Sequence, residues 1–199
     1  MIELYHCNGA RSMRSLWLLH ELGIEFKLHQ LEFSMAALRT PEYLAISPLG
    51  RVPCLTDNGQ TLFESGAICQ YLCETYDNGH LFRKPGHPER TQWLQWLHFA
   101  ETIAVHGASL VQQKVFIAPE KRSEVVQKLE SRRLFISLEI LEPLLGQHEY
   151  LLESGFSAVD TAVGYSIHLA QQFIDIKPLV SVSKYYDRVS NRKSFELSL

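Results

Sequence analysis

Proline 53 constrains the chain more than any other residue. It stands inside Gly50-Arg51-Val52-Pro53-Cys54-Leu55, which reads as an extended segment. Proline has no N–H for a ladder, fixes its own φ, and pushes Val52 away from helical dihedrals. It is also the residue type that readily accepts a cis bond. An extended segment interrupted there must sit at the start of a strand or on an edge. Asp57-Asn58-Gly59 then signals a hairpin between Val52–Leu55 and Thr61–Phe63. Glu64-Ser65-Gly66-Ala67-Ile68 follows as the start of a helix running to about Tyr76, with Ser65 suited to cap it. An acid beside a hydroxyl at a helix N-terminus, facing an exposed extended backbone, suits a ligand carrying both an amine and a carboxylate.

Upstream, Ile2–His6 alternates like a strand and ends at Cys7-Asn8-Gly9, a loop signal. From Arg11 to Leu22 the apolar residues Leu16, Leu18, Leu19 and Leu22 recur at mainly helical spacing, and Gly23 stops the helix. Phe26–Phe33 reads as a second strand, parallel to the first because a helix connects them. The first 77 residues therefore predict βαβ, an irregular segment, then ββα.

Turn residues and prolines concentrate over Asp77–His80 and Lys84–Pro88. The expected division is a first domain over 1–78, a linker over 79–87 and an all-helical domain over 88–199. Helical stretches are predicted over Pro88–Phe116, Pro119–Leu145 and Ser157–Phe173, with a shorter helix from near Pro178 carrying Tyr185 and Tyr186. Ser157-Ala158-Val159-Asp160 has the layout of a capping box, with Asp in place of Glu or Gln. Trp93 and Trp96 are expected in the core.

The net charge of −3 gives no electrostatic reason to expect nucleic acid or an anionic membrane. The start of the chain lacks the basic and apolar run of a signal peptide, and no apolar stretch approaches bilayer length. The four cysteines, at 7, 54, 69 and 73, form neither a CxxC nor a paired zinc spacing. Buried thiols, no metal and a cytoplasmic location are the expectations.

This order of elements resembles the cytosolic glutathione S-transferase family, over essentially the whole chain. The resemblance is carried by Leu4-Tyr5, Arg11–Leu19, Pro48–Pro53 and Glu64–Ile68, and in the second domain by Trp96–Glu101 and Ser157–Asp160. The Arg-Ser-Leu-Trp-Leu-Leu style of first helix is similar to a fungal and bacterial branch. The resemblance implies a thioredoxin-like N-terminal domain of βαβ–ββα type followed by an all-α domain. It implies glutathione as cosubstrate without a metal, a small hydrophobic electrophile, a role in detoxification, and a homodimer. Glu64 would meet the γ-glutamyl ammonium, Ser65 the carboxylate, and the Val52 backbone beside cis-Pro53 the cysteinyl backbone. Arg51 would reach the glycyl carboxylate or remain solvated.

Conjugation needs glutathione as thiolate, and a thiol of ordinary pKa is only a few per cent ionised at neutral pH. Lowering that pKa by two needs about 2.7 kcal/mol, the scale of one or two good hydrogen bonds. By the resemblance, the serine-type donor would fall at Gly9 or Ala10 and the beta-type cysteine at Arg11, and neither residue type is present. Ser12 and Tyr5 are the leading candidates, with Asn8 and Arg11 also open. Cys7 has two readings, a mixed disulfide with glutathione and a buried strand-end thiol. His98, Glu101 and His106 lie on the helix that faces the cleft in the family; His98 and Glu101, three apart, would line the electrophile pocket or hold the domains together, while no cleft role carries over to His106. Two other functions fit the same scaffold: a glutathione-dependent disulfide reductase or peroxidase, and a non-catalytic glutathione-binding protein.

Overall fold

The computed structural model describes residues 1–199. The chain forms two compact units, one made of Met1–Pro85 with Asn191–Leu199, the other of Gly86–Ser190.

The first unit is built on four strands, β1 (Ile2–His6), β2 (Phe26–Gln30), β3 (Cys54–Asp57) and β4 (Gln60–Phe63), in the order β2-β1-β3-β4. β1 and β2 are parallel, whereas β3 runs antiparallel to both β1 and β4. The mixed sheet and the flanking helices make the thioredoxin-like arrangement. Alternation in β1 buries Ile2, Leu4 and His6. Helix α1 (Met13–Leu22) buries Trp17, Leu18 and Leu19 completely and stops at left-handed Gly23. The hairpin turn places both Asn58 and Gly59 at positive φ, as a tight two-residue turn requires.

Three expectations need correction here. β3 begins at Cys54 and not at Val52, because Pro53 offers the ladder no N–H. β2 ends at Gln30, so Leu31–Phe33 lie beyond it. The segment expected to be irregular holds two short helices, α2 (Met35–Leu38) and α3 (Pro41–Ile46). Their caps are legible afterwards. Ser34 accepts from the Ala37 N–H and Thr40 from the Tyr43 N–H, and Pro41 opens α3.

Helix α4 (Ser65–Tyr76) completes the unit within the N-terminal stretch and packs against α1. Glycine 50 is required where it stands: its φ is +55°, and a Cβ there would lie 2.3 Å from the Leu38 carbonyl oxygen.

The second unit is helical. Helix α5 (Arg90–Val111) packs against α6 (Glu124–Glu139) and α8 (Ala158–Ala170), while α9 (Val180–Ser190) packs against α8 and the short α7 (Glu142–Leu145). The stretch expected over Pro88–Phe116 is not one uniform helix: α5 passes into a π-helical turn over Gln112–Phe116. Nor is Pro119–Leu145 continuous. Pro143 cannot donate within a helix, and the chain restarts there as α7. Trp93 is fully buried and Trp96 nearly so.

Ser157 and Asp160 form the expected capping box at the start of α8. The last helix, α10 (Lys193–Glu196), belongs to the first unit and packs on α1. Phe195 meets the Trp17 ring edge-on at 4.9 Å. Arg192 donates through Nε and Nη2 to the two carboxylate oxygens of Glu21. No helix is long and apolar enough to cross a membrane.

Candidate functional site

The backbone around residue 52 is held from one side by α3. Tyr43 and Ser47 both donate their hydroxyls to the Arg51 carbonyl, at 2.8 and 2.9 Å, and Ser47 also accepts from the Arg51 N–H. The Val52–Pro53 bond is cis. The Val52 side chain packs in a cluster with Cys7, Ala10, Leu38 and Tyr43. Its N–H and C=O precede the β3 ladder, which starts at Cys54. Arg51 itself is exposed.

At the end of β4, Glu64 takes φ +77°, a conformation that costs a non-glycine residue on the order of 1 kcal/mol or more. It occupies the position just before α4, so Ser65 becomes the first helical residue. The expected Ser65 cap is therefore absent. The Ser65 hydroxyl instead accepts from the Arg14 guanidinium at 3.1 Å, deep in the unit. Arg14 is only 3% exposed, an unusual state for an arginine, and it brings a cation to the N-terminal end of α4. The first N–H groups of that helix have no intrahelical acceptor. Exposed Glu64, buried Ser65, the helix terminus and the Arg14 guanidinium thus assemble one acid and one anion-attracting end side by side.

Arg14, Tyr43 and Ser47 were not among the expected site residues. The signal for Arg14 is a cation on the same helix face as Trp17 and Leu18, otherwise an apolar stripe. For Tyr43 and Ser47 the sequence holds no signal, since both act on a backbone group several residues away.

The loop between β1 and α1 carries the candidate sulfur-side donors. Ser12 is fully buried and makes no helix cap. Its Oγ accepts from the Cys7 N–H at 3.2 Å and lies 2.9 Å from His6 Nδ1. His6 Nε2 in turn lies 3.3 Å from Asn8 Oδ1, which also accepts from Gln30 Nε2 at 3.0 Å. Burial holds the His6 pKa below its ordinary value and keeps the ring neutral. Asn8 is exposed.

Tyr5 is half-buried on the other face of β1, stacked on His29 at 4.4 Å and tilted against Tyr43. Burial raises its phenol pKa, so it stays protonated at neutral pH. Gly9, at φ +69°, and Ala10 contribute no donor side chain.

All four cysteines are buried and free. Burial pushes the Cys7 and Cys54 thiols up to about 11. In the second unit, His106 Nδ1 pairs with Glu130 at 2.7 Å, and Arg133 takes the other oxygen of the same carboxylate. His98 is exposed and Glu101 half-buried. No group of three or more His, Cys, Asp or Glu side chains converges in a way that would hold a metal ion.

Residues 1–74 match the glutathione S-transferase N-terminal domain. The chain is 31% identical to glutathione S-transferase F10 of Arabidopsis thaliana over 205 residues, covering 98% of this chain and 95% of that protein. It is 26% identical over 204 residues to the disulfide-bond oxidoreductase YfcG of Escherichia coli, covering 96% and 91%. Its fold matches that of the glutathione transferase URE2P6 from Phanerochaete chrysosporium, solved in complex with oxidized glutathione. The TM-score is 0.89 at 23% identity, over 99% of this chain and 94% of that one. With a thioredoxin-like unit of this topology, a helical unit after it and relatives of this length, the chain belongs to the glutathione S-transferase family.

Proposed function

We propose that this protein binds glutathione on its first unit and transfers the thiolate to a small hydrophobic electrophile. One observation carries the reading: Glu64 at positive φ sets an acid beside the Ser65–Arg14 pair, next to a Val52 backbone that lies outside the ladder. The γ-glutamyl ammonium pairs with Glu64, and its carboxylate with Ser65 and the α4 terminus. The cysteinyl backbone adds to Val52 as a short extra strand. Arg51, exposed at the mouth, meets the glycyl carboxylate. Ser12 and Tyr5 are the residues expected from the sequence to take part in thiol activation. Because the Ser12 hydroxyl is fully enclosed by the loop, its share is indirect: it shapes the loop that faces the sulfur.

Relatives named as transferases along nearly the whole chain support conjugation. A second reading, reduction of mixed disulfides by bound glutathione, is favoured by the similarity to a disulfide-bond oxidoreductase. A cytoplasmic homodimer active in detoxification is the expected setting.

Retention on immobilised glutathione tests the binding. Ser65→Ala and Glu64→Gln should each lose it at least tenfold in affinity, as expected for a hydrogen bond or ion pair to a charged group. Assays with a chloronitrobenzene and with a small mixed disulfide then separate the two chemistries. No retention of the unaltered protein refutes both.

A further inference from the structure

We propose that Asn8 is the group that donates a hydrogen bond to the glutathione sulfur, aimed there by a buried chain running from Ser12 through His6. The inference rests on the glutathione-binding reading above.

The protons in the chain are ordered from Asn8 inward. Asn8 Oδ1 can only accept, so the neutral His6 ring carries its proton at Nε2, 3.3 Å away, and its Nδ1 takes the Ser12 hydroxyl proton at 2.9 Å. Gln30, reaching from β2, donates to the same Asn8 oxygen. With Oδ1 occupied by two donors from the strands, the Nδ2 end of the carboxamide is turned away from them.

Place and exposure agree. Tyr5 pairs with Cys54 in antiparallel register, so the residues after β1 run beside Pro53 and Val52. Cys7 and Ala10 share one packed cluster with Val52. A cysteinyl group paired to the Val52 backbone therefore presents its side chain to this loop. Gly9 and Ala10 have no donor side chain, Ser12 is fully enclosed, and the half-buried Tyr5 ring is held between His29 and Tyr43, whereas Asn8 is exposed. Asn8 is accordingly the catalytic residue of the proposal, and His6 and Ser12 are positioning residues.

The test is an ultraviolet titration of the thiolate of glutathione bound to the whole protein, which needs no acceptor substrate. Glutathione affinity is measured alongside by calorimetry. Asn8→Ala should raise the pKa of the bound thiol by about one to two and lower kcat/KM at neutral pH about tenfold to a hundredfold, the effect of one hydrogen bond to a charged atom. Glutathione affinity should stay within about threefold, less than the loss of one such bond. Ser12→Ala should raise the thiol pKa by less. The double variant should be no worse than Asn8→Ala alone, because Ser12 acts only through Asn8.

Normal titration of the bound thiol in Asn8→Ala overturns the inference, as does additivity in the double variant. It also falls if Arg11→Gln raises the thiol pKa and Asn8→Ala does not. In each of those cases glutathione still binds and the broader reading stands. Failure of the unaltered protein to bind glutathione overturns both together.

Discussion

Replacing Asp160 with alanine should remove a large share of the second unit's stability. The carboxylate is completely buried at the start of α8. Oδ2 accepts from the Ser157 N–H at 2.8 Å and closes the capping box. Oδ1 accepts from the Leu151 N–H at 3.2 Å and from the Tyr185 hydroxyl at 2.9 Å. Alanine strands these three donors where water does not reach. Each buried donor left without a partner costs about 1–3 kcal/mol, and lost capping is part of the same sum. Because the donors share one acceptor group their costs overlap, and about 4 kcal/mol is expected in total.

For a chain of this size that loss lowers Tm by roughly 8–16 °C. The assay is thermal and urea unfolding followed by circular dichroism. It is run at slightly alkaline pH because burial holds the Asp160 pKa up, at about 6, and the carboxylate form is then the one tested. Asp160→Asn should be intermediate, since one oxygen is kept while an amide N–H now faces the donors on the other side. Tyr185→Phe should cost about 1 kcal/mol alone and nothing, or less, in the Asp160→Ala background. A loss under about 1 kcal/mol in Asp160→Ala would refute the reasoning, because no single stranded donor is that cheap. So would a full, additive cost of Tyr185→Phe in that background.

Gly50→Ala should destabilise by about 3 kcal/mol, combining a left-handed φ with a Cβ driven against the Leu38 carbonyl; urea midpoints measure it, and glutathione retention should fall with it because Arg51 and Val52 follow directly. Native protein should give no fast reaction with an aromatic disulfide reagent near pH 8, and four thiols after unfolding. Cys7 and Cys54, with pKa values of about 11, are then only about one part in a thousand ionised. Rapid labelling of Cys7 would instead favour mixed-disulfide chemistry. Glu130, held below the ordinary carboxylate value by the His106 and Arg133 hydrogen bonds, contributes stability that is present above its unfolded pKa and lost as pH falls through the folded one. Glu130→Gln should therefore destabilise at neutral pH and converge with the unaltered protein in acid, as read from unfolding midpoints at a series of pH values.

The parts of the fold that were legible are those specified by residues close in sequence. Ile2–His6 alternates, Gly23 ends α1, Asn58-Gly59 makes the hairpin, and Ser157 with Asp160 starts α8; each signal lies within a few residues of its effect. Helices α2 and α3 had local signals too, in Ser34 and Thr40-Pro41, but four and six residues are too few for periodicity to show. The candidate site divides the same way. Val52-Pro53 and Glu64-Ser65 stand out because proline and a helix start have local signatures. Arg14 matters through Ser65, Tyr43 and Ser47 through the Arg51 carbonyl, and His6 through Ser12. Such pairings depend on which side chains the tertiary fold brings together, and no spacing in the sequence encodes them. The Ser12 hydroxyl illustrates the difference: at a helix start it reads as a cap or a donor to ligand, whereas its actual partners are the strand before it.

The return of residues 191–199 to α1 has a consequence for how the protein is made. On a ribosome Trp17 emerges long before Phe195 exists, and Glu21 long before the arginine 171 positions later that neutralises it. At about 5–20 residues per second, that interval is roughly ten to forty seconds. Through it the sheet and α4 are already available, yet one edge of the indole lacks its aromatic partner and the Glu21 carboxylate, bonded to Trp17 Nε1, lacks its cation. A helix synthesised well before α10 is thus among the last parts of its unit to be finished. Chaperone engagement or premature proteolysis during translation would strike this face of α1 first.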